Sequence, residues 1–166
     1  MNGRTAGFTL IEVLLYIAFF AFLMGSLLGV TFQTMASAAQ INKKISLEQE
    51  SNFILNKLEW ALADAQNVLQ PGVNSGSAEL GLNRYAAADN PVEFTLRYGY
   101  LNMTLAGAPA GPETELNSAN IIASDFTVNA SQVPGFPEKI EISLTLACAE
   151  GGTNPQTYRL VKYLRQ

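Results

Sequence analysis

Side chains able to do chemistry are sparse in this chain. It has no histidine and a single cysteine, Cys148. The usual general base, the proton shuttle and the commonest metal ligand are therefore missing together, and neither an internal disulfide nor a Cys-based zinc site can form. Asp89, Asp125 and most glutamates are scattered without metal-loop spacing, although a Ca2+ site built partly from backbone carbonyls has room in the loop before Val92. Glycine-rich dinucleotide, phosphate-loop and nucleophile-elbow patterns are absent. The expectation is a protein that is not an enzyme, with no catalytic residue, no metal and no cofactor. Ten Lys and Arg against fourteen Asp and Glu give a net charge of -4, the wrong sign for a nucleic-acid partner. Cys148 ends an apolar alternation and has no cationic neighbour in sequence, so it reads as a buried structural thiol.

One carboxylate is different. Glu12 stands at the head of Val13 to Phe32, a run of 20 residues without a charge. At 1.5 Å per residue a helix of that length covers roughly 30 Å, the thickness of a bilayer's hydrocarbon core, and exceeds the about 7 to 15 apolar residues of a secretory signal. A cleaved export signal ending near Ala36-Ser37-Ala38 is thus the weaker reading. A carboxylate costs up to about 2.5 to 3.5 kcal/mol at the bilayer centre and less near an interface, so its retention marks a function unless it lies shallowly enough to reach head groups. The run also accounts for the composition: 48% of residues are apolar and 14% charged, against a usual charged share of about a quarter. Arg4 on one side and Lys43 and Lys44 on the other hardly decide the orientation.

The residues around Glu12 do. Arg4-Thr5-Ala6-Gly7-Phe8-Thr9-Leu10-Ile11-Glu12-Val13 resembles the type IV prepilin signature. In that family a short polar leader ends in Gly, a membrane peptidase cuts on the cytoplasmic side before Phe or Met, and the new amine is methylated. The resemblance implies cleavage between Gly7 and Phe8, N-methylation of Phe8, and a filament-assembly role for Glu12, fifth after the cut. Within a filament, its natural partner is the Phe8 amine of an adjacent subunit. The implied localisation is a single-pass cytoplasmic (inner) membrane protein with its C-terminal domain exported, becoming part of a periplasmic or cell-surface filament.

These residues need elements to carry them. No Pro occurs between Phe32 and Pro71, so one helix from Thr9 to about Gln70 is the economical reading, interrupted only by Gly25 and Gly29. Leu47, Ile54, Leu58, Ala61, Ala65 and Leu69 fall on one stripe, which should be covered by the C-terminal domain. Gln70-Pro71-Gly72 supplies the ending. Pro71 to Pro91 reads as a loop. Strands then follow: Val92 to Tyr98 with Val92, Phe94, Leu96 and Tyr98 alternating, Leu101 to Leu105 after a turn at Gly99, Ala123 to Ala130 with Phe126 and Val128 inward, Ile140 to Leu146, and Tyr158 to Leu164. A flexible loop with Gly107, Pro109, Gly111 and Pro112, a turn at Val133-Pro134-Gly135-Phe136-Pro137, and a Gly151-Gly152 loop separate them. The expected fold class is α+β and, by the resemblance, pilin-like: a long N-terminal helix packed against an antiparallel sheet. The expected organisation is a leader at 1–7, a transmembrane half of the helix at 8–32, an amphipathic half at 33–70 and a sheet domain at 71–166.

The resemblance implies a minor pilin or pseudopilin of a type IV pilus or of a type II secretion or DNA-uptake filament. The strand pattern around Phe126 and Ile140 is similar to subunits of the J or W type. Implied partners are other pilin or pseudopilin subunits, the prepilin peptidase, the inner-membrane assembly platform, and lipid before assembly. The alternative is a membrane-anchored ligand-binding protein using Tyr85, Tyr98 and Tyr100, residues that equally suit sheet or loop packing. Phe53 and Trp60, seven residues apart, lie roughly 120° to 140° around the helix from the Leu47 stripe. They are either covered by the Pro71 to Pro91 segment, left as isolated surface aromatics, or a docking face for a partner's helix.

Overall fold

The computed structural model describes residues 9–85, 90–105, 113–151 and 154–164. The leader and the Gly7-Phe8 bond lie outside the described residues, as do Asp89, Gly107, Pro109, Gly111, Pro112 and Gly152. The chain forms two compact units, Met1–Asn42 and Lys43–Gln166, and one helix, α1 (Leu10–Ala63), supplies residues to both.

In the first unit α1 is apolar around its whole circumference, and it is long and apolar enough to cross a membrane. Its few hydroxyls are satisfied within the helix: Ser26 donates to the Leu23 carbonyl at 2.8 Å, Thr31 to Leu27 at 2.9 Å, Thr34 to Val30 at 2.7 Å and Ser37 to Gln33 at 2.9 Å. This is the bonding a hydroxyl needs where no water can serve it. The helix continues through Gly25 and Gly29.

The second unit is α+β. It begins with the last turns of α1, followed by β1 (Ala65–Gln70), β2 (Ser75–Ser77), β3 (Glu79–Arg84), β4 (Val92–Arg97), β5 (Tyr100–Leu105), β6 (Thr114–Glu115), β7 (Ile121–Ser131), β8 (Lys139–Cys148) and β9 (Gln156–Tyr163). All described pairings are antiparallel, in a five-stranded sheet of order β1-β3-β4-β5-β6 and a four-stranded sheet of order β2-β7-β8-β9. One core joins Leu47, Ile54, Leu58, Ala61 and Leu62 of α1 to Leu80, Leu82, Val92 and Phe94 of the first sheet and to Phe126, Val128, Ile140, Ile142, Leu144 and Leu146 of the second. The alternation in β7 and β8 thus buries the residues it marked as inward, and that in β4 buries Val92 and Phe94 and leaves Leu96 half-buried.

Four expectations are corrected. The helix stops at Ala63 and not near Gln70, because Ala65–Gln70 pairs with β3 from Ala65↔Arg84 to Gln70↔Gly81. Tertiary ladder bonds outweigh a local helical preference that no residue before Pro71 opposes. Leu69, expected on the buried stripe, is 45% exposed in β1, while Ala65 is buried from the strand. Pro71 to Pro91 is not a plain loop: β2 and β3 lie within it, and Leu80 and Leu82 are fully buried. Tyr98 does not complete the inward alternation of β4. It occupies the turn with Gly99 at positive φ and is 99% exposed, since a two-residue hairpin turn directs its side chains to solvent.

Two irregularities shape the second sheet. Asp125 has a φ of 51° and sits where the β7–β8 register shifts between Ser124 and Thr127. This bulge changes the inward parity from Ile121 and Ala123 to Phe126, Val128 and Ala130. Gly135, at φ 85°, closes the β7–β8 turn, in which the Phe136 N–H donates to the Val133 carbonyl at 3.0 Å.

Candidate functional site

Glu12 lies in the first turn of α1, where a carboxylate complements the helix N-terminus. It is half-buried among exposed apolar neighbours, and the Tyr16 hydroxyl one turn on donates to its Oε1 at 3.3 Å. No described cation pairs with it. Leu10, Ile11, Val13, Leu14 and Leu15 around it are all exposed. A carboxylate with one weak donor inside an uncovered apolar surface can accept a charged donor from outside the chain, or stay near water.

Phe53 and Trp60 do come together. Lys57, between them on α1, places Nζ 5.7 Å from the centroid of each ring. Arg84 of β3 stacks its guanidinium 3.8 Å from the Trp60 centroid and donates from Nη2 to Asp64 Oδ2 at 2.8 Å. Arg84 is buried, and its backbone is fixed on both sides by Asn90, whose Oδ1 accepts from the Arg84 N–H at 2.7 Å and whose Nδ2 donates to its carbonyl at 2.6 Å. The Pro71 to Pro91 segment therefore covers part of Trp60. Phe53 remains 47% and Trp60 41% exposed, leaving a cation-flanked aromatic face on the outer side of this helix segment. Arg84 was not singled out by sequence; the only available signal was a lone Arg in a segment otherwise read as loop.

Cys148 is half-buried at the core margin, with Sγ 3.8 Å from the Lys43 carbonyl. Its role here is packing. Tyr85 and Tyr98 are exposed and Tyr100 half-buried, and they belong to a loop, a turn and a strand without converging on any described pocket. Among the described residues no group of three His, Cys, Asp or Glu side chains could hold a metal ion. Burial pushes the Glu138 carboxyl above its ordinary value, and its Oε1 is buried without a hydrogen-bond partner.

The polar group that organises the second unit is Asn117, which the sequence reading passed over. Its Oδ1 accepts from the Leu101 N–H at 2.8 Å, and its Nδ2 donates to the carbonyls of Ile121 at 2.6 Å and Gly99 at 3.0 Å. Next to it, Glu50 of α1 accepts from the Ser118 N–H at 3.0 Å and from its hydroxyl at 2.6 Å. No family model matches the chain, and neither a curated protein nor a solved structure matches it.

Proposed function

We propose that this chain is a structural subunit, a minor pilin or pseudopilin of a type IV pilus or of a type II secretion or DNA-uptake filament, which assembles through its N-terminal helix and performs no chemistry of its own. The observation carrying this reading is the first unit's uncovered apolar helix with Glu12 at its head. Such a surface needs lipid or other helices around it. The α+β second unit, with a helix segment in the core of two antiparallel sheets, agrees with a pilin-like fold. On this reading the prepilin peptidase cuts between Gly7 and Phe8, Phe8 is methylated, the second unit is exported, and an assembly platform moves the subunit from the bilayer into the filament. Glu12 then pairs with the Phe8 amine of a neighbour.

The test is the mature N-terminus together with a Glu12→Ala variant. Mass spectrometry of the membrane-extracted protein should find Phe8 first and methylated in cells that possess the peptidase. An intact leader there refutes the reading and favours a plain membrane anchor. Glu12→Ala should insert and be cleaved as the wild type is, because the span becomes more apolar, while its incorporation into filaments falls. Incorporation at the wild-type level would show that the pairing is not needed.

A further inference from the structure

Strand β9 is an edge of its sheet: β8 pairs along one side, and among the described residues no strand pairs along the other. The register with β8 runs from Lys139↔Tyr163 to Leu146↔Gln156 without a shift, and the Leu164 N–H donates to the Glu138 carbonyl at 2.9 Å. Antiparallel pairs alternate between residues that exchange both backbone bonds and residues that exchange none. Counting back from Leu164, the residues that turn their N–H and C=O away from β8 are Tyr163, Val161, Arg159 and Thr157. None of these outward groups has a hydrogen-bond partner among the described residues. Open edges are ordinarily blunted by shortness, a proline, a bulge or charged side chains. β9 has 8 residues, no proline and no bulge, and retains only its cations.

Those cations indicate what the edge would accept. β9 contains Arg159 and Lys162 and no acidic residue, in a chain of net charge -4. The Arg159 side chain is 73% exposed, and the carboxylate nearest it, Glu141 at 3.8 Å, is shared with Lys139 at 3.3 Å, so one negative charge answers two positive ones. On the same outer face Val161 and Tyr163 are exposed, and Tyr163 continues into an apolar groove with Val133, Phe136 and Pro137, rimmed by Ser131 and Lys139. On the inner face Tyr158 and Leu160 are only partly covered at the margin of the core. A further strand alongside would pair the free backbone groups and cover both apolar margins.

We propose that β9 takes up an extended strand from a partner protein, an acidic segment of alternating pattern that sets its carboxylates on the outer face beside Arg159 and its apolar side chains on the inner face beside Tyr158 and Leu160. Backbone pairing supplies the affinity, and the alternate side chains supply the specificity. A second copy of this chain is disfavoured on the same edge, since it would bring Arg159 and Lys162 against the same two cations. The inference stands on the second unit alone and does not depend on the filament reading.

The test uses the full chain in detergent micelles and two fluorescent octapeptides, one alternating glutamate with valine and one alternating lysine with valine. The acidic peptide should bind and the basic one should not. Val161→Pro removes one outward N–H while leaving the β8 ladder intact, as edge prolines do, and should weaken binding about tenfold or more. Arg159→Glu, a change at an exposed side chain, should reverse the peptide preference with circular dichroism unchanged. Equal binding of both peptides, binding indifferent to Val161→Pro in a folded variant, or a preference unmoved by Arg159→Glu would each overturn the proposal. So would self-association of the chain that Val161→Pro abolishes, which would assign the edge to a second copy.

Discussion

Replacing Asn117 with Ala should be among the most damaging single changes outside the apolar core, and its size can be worked from the hydrogen bonds. The Ala149 N–H donates to the Asn120 carbonyl at 2.8 Å, so the next pair, Ile121↔Cys148, exchanges no backbone bonds. The Ile121 carbonyl therefore depends on Asn117 Nδ2. The Leu101 N–H likewise depends on Asn117 Oδ1, whereas the Gly99 carbonyl keeps the Ala123 N–H at 2.8 Å. Two buried groups are orphaned. At about 1 to 3 kcal/mol each the loss is about 2 to 6 kcal/mol, a large part of the about 5 to 15 kcal/mol that holds a domain together. Urea unfolding of the full chain in detergent, followed by the fluorescence of Trp60, the one tryptophan, should show a midpoint lowered by about 1 M or more, given slopes of about 1 to 3 kcal/mol per molar. Asn117→Asp should be no better, because it turns a carboxylate oxygen toward two carbonyls. A loss below about 0.5 kcal/mol for Asn117→Ala would refute the reasoning and mean that water or a shifted backbone serves both orphans.

Trp60→Ala should cost more stability than Phe53→Ala, by about 1 kcal/mol or more, because Trp60 carries a buried guanidinium at 3.8 Å whereas Phe53 meets only the Lys57 ammonium at 5.7 Å; thermal unfolding of the two variants decides it, and the reverse order would defeat the argument. Glu138 gives a pH dependence. With its folded pKa raised above the ordinary 4.5 by burial, the folded state binds more protons than the unfolded one just above pH 4.5, so this residue's contribution falls as pH rises through that window. Glu138→Gln should remove that component, read as a smaller decline of the urea midpoint between pH 4.5 and neutrality than in the wild type.

Much of the second unit was legible in the sequence. β4, β5, β7 and β8 fall within two residues of where alternation places them, and Phe94, Phe126, Ile140, Ile142, Leu144 and Leu146 are buried as expected. Period-two patterning is a local signal that survives whenever one face of a strand is buried. The strands that were missed lack it. β1 is half uncharged polar residues and its register shifts twice, β2 is Ser-Gly-Ser, and β3 has three consecutive buried positions, Leu80, Gly81 and Leu82. The candidate site divides in the same way. The i, i+7 spacing of Phe53 and Trp60 puts them on one face whatever covers it, but the stacking of Arg84 requires β3 to return beside α1, and no local rule states that.

What the sequence determined by itself was therefore whatever depends on near neighbours along the chain: an uncharged run long enough for a bilayer, a carboxylate at its head, the buried stripe from Leu47 to Ala61 on a helix, and the alternating strands. The tertiary structure decided where long-range pairing competes with local preference. It ended α1 at Ala63 by drawing Ala65–Gln70 into a ladder with β3. It placed a bulge at Asp125 so that one long strand changes its inward parity, and it gave Asn117 the two backbone groups that no ladder satisfies. It also left β9 at an edge. The physical reason is common to all four: a hydrogen bond that closes a turn or joins two segments is available only after the chain has folded back, and its presence or absence is fixed by partners beyond the immediate neighbours in sequence.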